Sequence, residues 1–90
     1  MIIAIFDVPT MSMEKFNKVW DALRSAGNDH PDGRIRHYAG TKGDGMVVVD
    51  IWESPEKLGA FAEILMPVLS GLGITPTQPT IIPITYQQEG

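Results

Sequence analysis

The sequence has 90 residues, a net charge of −4, 43% hydrophobic and 20% charged residues, and no cysteine. That acidic balance excludes a nucleic-acid partner, which needs Lys and Arg in excess to meet phosphates, and no basic amphipathic stretch points to a membrane surface. Without cysteine there are no disulfides, thiolate metal sites or thiol catalysis, which suits a reducing cytoplasm.

The length predicts a single domain spanning residues 1–90, small enough that a second copy is a natural way to cover apolar surface. The chain opens on "MIIAIFD", which reads directly as a strand. Neither a signal peptide nor a membrane span is expected from it, so the expected location is cytoplasmic. Ile2 to Asp7 is rich in β-branched and aromatic residues and is stopped by Val8-Pro9, giving the first strand. Ser12 is an expected N-cap, followed by Met13, Phe16, Val19, Trp20 and Leu23 at helical spacing, with an end near Gly27. "NDHPDG" is a turn cluster that places His30 on the surface.

Arg34 to Gly40 and Met46 to Glu53 read as two strands joined by the glycine-rich "GTKGDG". Ser54-Pro55 is an N-cap followed by proline at the first helical position. Leu58, Phe61, Leu65, Val68 and Leu72 then form a second apolar stripe, and Pro67 predicts a kink or the last turns of that helix. Thr80 to Tyr86 is a final strand, where Pro83 predicts an edge position or a bulge. The order β-α-β-β-α-β predicts an α+β, ferredoxin-like fold, with a four-stranded antiparallel sheet carrying both helices on one face. The other face is left open, and the expected cover is a second subunit.

Side-chain alternation in the third strand separates Val47, Val49 and Ile51 from Met46, Val48, Asp50 and Trp52. The all-aliphatic set is expected beneath the helices, which sends Asp50 and Trp52 to the open face. If Gly40 pairs with Gly45, His37 lies opposite Val48 and Ile35 opposite Asp50, so His37 shares the face of Asp50. Tyr86 at the end of the last strand offers a hydroxyl. Asp50 has three readings: an ion pair with an arginine or histidine of the second strand or another subunit, a base or substrate anchor, or a solvated carboxylate. His37 is a proton shuttle or a satisfied structural histidine. Trp52 is a pocket floor or interface core, and Trp20 is core. His30 and His37 lack metal-ligand spacing, so no metal is expected. "GTKGDG" joins two strands and has no phosphate-loop spacing.

The stretch "HYAGTKGDGMVVVDIWESPEKLGAFAEILMPVL", with Trp52-Glu53-Ser54 and the following Phe61, resembles the dimeric α/β-barrel superfamily near its antibiotic biosynthesis monooxygenase-like group. The resemblance implies a homodimer with facing sheets and a pocket between each sheet and its helices or in the barrel centre. By analogy with the cofactor-independent monooxygenases of that group, Trp52 would pack against an aromatic substrate, with no cofactor required. The asparagine expected upstream on the same strand is absent, since this region reads Met46-Val47-Val48-Val49. The predicted function is therefore a small-molecule enzyme of monooxygenase-like or isomerase/cyclase type, acting on an aromatic or apolar substrate in a pocket on the open sheet face. His37 and Asp50 are its candidate catalytic residues; Trp52, Met46, Val48 and Tyr86 are its candidate substrate contacts. The alternative is a non-catalytic homodimer that binds a ligand or serves in an assembly, with Asp50 bridged to Arg34 or Arg36.

Overall fold

A computed structural model describes residues 1–90. The chain runs β1 (Ile2–Val8), α1 (Met13–Ser25), β2 (Arg34–Lys42), β3 (Gly45–Trp52), α2 (Pro55–Gly71) and β4 (Thr80–Pro83). Each helix starts at a serine whose hydroxyl accepts a backbone N–H of the first turn: Ser12 from Lys15 and Ser54 from Lys57, both at 3.2 Å. These bonds satisfy donors that have no partner within the helix. Pro67 stands inside α2, which continues to Gly71. The backbone N–H of Ile74 then donates back to the Leu69 carbonyl at 2.9 Å, folding the following loop against the helix end. No helix is long and apolar enough to cross a membrane.

The sheet has the order β2-β3-β1-β4, and every neighbouring pair is antiparallel. β4 lies at an edge, where the missing N–H of Pro83 costs no ladder bond on its outer side. It ends at Pro83, shorter than the expected Thr80–Tyr86. β2 and β3 are longer than expected at the hairpin, where Lys42 pairs with Gly45 across a tight turn whose Gly43 has φ +59°. The pairing is displaced by two residues from the expected one: His37 faces Asp50, Ala39 faces Val48, and Ile35 falls at a bulge between Arg34 and Arg36. A two-residue displacement preserves which side chains share a face, so His37 and Asp50 still lie together. Gly45 is required by a close crossing, since a Cβ there would lie 2.5 Å from Pro9 Cα and 2.6 Å from the Val8 carbonyl oxygen.

The assignment of faces is the main correction. Met46, Val48, Asp50 and Trp52 point to the helices, together with Ile2, Ala4, Phe6 and Val8 of β1. Val47, Val49 and Ile51, expected beneath the helices, are on the open face with Ile3 and Ile5. Two physical facts reverse the expectation. Trp52, completely buried, fills the centre of the core against Phe61, with ring centroids 5.6 Å apart. Asp50 is hydrogen-bonded on both oxygens, so its burial carries little of the penalty of an unpaired charge. Val19 and Leu23 of α1 and Leu58, Phe61 and Leu69 of α2 close over this layer.

The loop before β2 is fastened to α2 by an ion pair between Asp32 and Lys57. The hydrogen bond to Asp32, and then that carboxylate's charge, raise the Lys57 ammonium above its ordinary pKa. The contribution is present at neutral pH and is lost only as the pH climbs past that raised value. Both groups are exposed, so the pair is worth little at physiological salt.

Candidate active site

Between the helix-facing side of the sheet and the two helices lies a cavity of about 130 Å³. Phe6 and Val48 rise from the sheet, Phe16 and Trp20 come from α1, and Phe61 and Leu65 come from α2. The loop after α2 supplies the exposed Pro76 and the half-buried Thr77 and Pro79 at the rim. Asp50 and Thr77 bring the oxygen-bearing side chains to the lining, and Trp20 adds an indole N–H. The Thr77 hydroxyl already donates to the Asp7 carbonyl at 3.0 Å, which ties the rim loop to the end of β1.

Asp50 comes from the middle of β3, and its side chain is only 6% exposed. Its Oδ1 lies 2.5 Å from His37 Nδ1, and its Oδ2 accepts the indole N–H of Trp52 at 3.3 Å. With the carboxyl ionised, the imidazole N–H is the donor of the first, short bond. Ala4 sits directly opposite Asp50 on β1 and is fully buried, so its small side chain leaves room beside the carboxylate on the side away from His37.

His37 stands behind the cavity wall. Its ring stacks on Phe16 at 6.4 Å with an interplanar angle of 9°, and meets the Trp20 ring edge-on at 4.8 Å. The two α1 aromatics thus face the cavity and also clamp the imidazole, while 23% of the His37 side chain reaches solvent. Arg34 continues this layer outward: its guanidinium lies 5.0 Å over the Trp20 ring and its Nη2 donates to the Asp29 carbonyl at 3.0 Å. Burial lowers the Arg34 pKa, opposed by the charges of Asp50 and Asp29. Arg34 Nη1 is buried without a hydrogen-bond partner. No ion pair joins Asp50 to Arg34 or Arg36; the tight partner of the carboxylate is His37.

The sequence-predicted residues therefore divide. Asp50 and His37 are brought together as a hydrogen-bonded pair, with Asp50 at the cavity and His37 behind its wall. Val48 lines the cavity, while Met46 and Trp52 are buried on the same sheet face but outside the lining. Tyr86 does not join them: it is 78% exposed beyond β4, and its hydroxyl donates to Gln88 at 2.7 Å. The cavity itself is on the helix side of the sheet, which corrects the expected open-face pocket. His30 is exposed in its turn beside Asp29, as expected. No three His, Cys, Asp or Glu side chains gather as a possible metal set.

Phe16, Trp20, Phe61 and Leu65 were legible only as apolar stripes, because a cavity wall and a packed core share the same helical spacing. The adjacent turns of Phe16 and Trp20, whose rings meet at 6.3 Å, are the one local signal of an aromatic wall.

No protein-family model and no curated protein matches the chain in sequence. Among solved structures it is similar to the crystal structure of SnoaB, a cofactor-independent oxygenase from Streptomyces nogalater. The identity is 16% and the TM-score 0.59, over 98% of this chain and 92% of that one. The likeness shows the fold: the ferredoxin-like β-α-β-β-α-β arrangement.

Proposed function

We propose that the protein is a small-molecule enzyme of monooxygenase-like or isomerase/cyclase type, acting on an aromatic or apolar molecule held between the sheet and the helices. The observation that carries this reading is one carboxylate, Asp50, set in an otherwise apolar cavity and bonded to a histidine. Proton removal is the step shared by the reaction types. In an isomerisation the proton returns to a different carbon; in an oxygenation dioxygen takes electrons from the deprotonated substrate, one oxygen atom stays on the ring and the other leaves as water with two substrate hydrogens. Asp50 is the proton acceptor, and the apolar wall excludes water that would compete for it. His37 orients the carboxylate and holds Oδ1, leaving the lightly bonded Oδ2 as the basic oxygen. Val48, Phe16 and Trp20 contact the substrate, while Trp52 acts one layer back by donating to Asp50. The likeness in fold to a cofactor-independent oxygenase supports the oxygenase branch, and that branch calls for no cofactor.

The binding of Asp50 to His37, in place of a bridge to Arg34 or Arg36, favours this reading over a non-catalytic assembly protein. We assign the open sheet face to a second copy of the chain. Ile3, Ile5, Val47, Val49 and Ile51 form a continuous aliphatic surface there, flanked by the exposed Tyr38 and Ile82.

Resorcinol tests the chemistry with two readouts from one probe. Deprotonation of its O–H activates the ring for hydrogen exchange in heavy water, and oxygenation in air gives the hydroxyquinone and water, read by mass as a gain of one oxygen and a loss of two hydrogens. The wild-type protein should accelerate at least one of these, and Asp50→Asn should lower that rate about 100-fold or more. Equal rates for the two proteins would remove Asp50 as the base.

A further inference from the structure

Asp50 is the one charged group lining the cavity, and it is a hydrogen-bond acceptor. As a carboxylate Asp50 only accepts; Oδ1 is occupied by the 2.5 Å bond with His37, while Oδ2 receives only the 3.3 Å bond from Trp52. The other polar lining group, the Thr77 hydroxyl, spends its hydrogen on the Asp7 carbonyl. The remaining walls are apolar side chains, two prolines and Trp20, whose indole brings the one side-chain N–H. A carbonyl, ether or carboxylate entering this space would lose water and find no donor at Asp50, and a carboxylate would also face the Asp50 charge. A neutral O–H or N–H, by contrast, finds an open charged acceptor at Oδ2.

The size of the space adds a second restriction. About 130 Å³ is close to the roughly 150 Å³ that accommodates benzene in an apolar cavity. Phe6, Phe16, Trp20 and Phe61 set its walls on three sides, from the sheet and both helices.

We infer that the ligand of this cavity is a single-ring, uncharged molecule that presents one hydrogen-bond donor to Asp50 Oδ2. The inference rests on the proposed role of this cavity as the reaction site, and narrows its substrate to that chemical class. Discrimination comes from the donor: an analogue without it leaves a buried carboxylate oxygen short of a partner, which is a larger penalty than a changed apolar contact.

Calorimetric titration of the wild-type protein with phenol, anisole, benzoate and 2-naphthol tests this directly. Phenol should bind at least tenfold more tightly than anisole, its methyl ether, and than benzoate; 2-naphthol should bind more weakly than phenol. In Asp50→Asn, whose amide supplies a donor, the preference for phenol over anisole should fall to about twofold or less. Anisole or benzoate matching phenol in the wild-type protein overturns the donor requirement, and 2-naphthol binding more tightly than phenol overturns the single-ring limit. These comparisons need only the wild-type protein, so they stand even if the variant does not fold. They also separate from the reaction itself: resorcinol exchange that depends on Asp50, with no phenol preference, would leave the proposed chemistry standing and remove this ligand class.

Discussion

The two faces of the sheet use the same backbone for different ends. The helix side carries Met46, Val48, Asp50 and Trp52 on β3, and it is the side with a charge, a histidine partner and a cavity. The open side carries Val47, Val49 and Ile51, purely aliphatic and only half-buried. Apolar content alone would rank the open side as the core. What decides is the volume of Trp52 and a carboxylate whose two oxygens both find donors, so that the polar pair is enclosed without an orphaned charge. An apolar face can therefore be the exposed one when the other face holds a satisfied polar network.

This contrast can be broken from either side. Trp52→Ala should have the largest effect, a loss of about 4 kcal/mol of stability in urea denaturation, because a fully buried indole leaves a large void. Asp50→Ala should cost about 3 kcal/mol, since it strips the Trp52 and His37 donors of their acceptor. Ala4→Leu should cost about 2 kcal/mol by overfilling the space opposite Asp50, whereas Ile5→Leu, the neighbouring position on the open side, should cost less than about 1 kcal/mol. Val49→Lys should have the smallest effect on the isolated chain, within about 0.5 kcal/mol at concentrations where it is monomeric. The same substitution should abolish self-association in light scattering. A wild-type chain that stays monomeric at all concentrations would remove the second copy from the open face.

The fold was legible because each element carried its own signals. The serine caps, the proline at the start of α2 and the alternating strands all give local instructions that the tertiary structure obeys. The shared face of His37 and Asp50 was legible too, because strand alternation survives a displacement of two residues. The side of the sheet was not. A period of two sorts residues into sets but says nothing about which set meets the helices when both are apolar. The small Ala4 opposite Asp50 was the physical clue, and it becomes readable only once β1 is paired with β3. The helical half of the cavity was hidden because Phe16, Trp20 and Phe61 serve as core and wall together. Tyr86 misled because β4 stops at Pro83, leaving the tyrosine beyond the sheet.

Methyl NMR during a phenol titration distinguishes a site beneath the helices from one on the open face. The methyl signals of Val48, Leu58, Leu65 and Leu69, which line the cavity, should shift with one common binding curve, while those of Val47, Val49 and Ile51 stay in place. Shifts confined to Val47, Val49 and Ile51 would put the ligand on the open face and contradict the account.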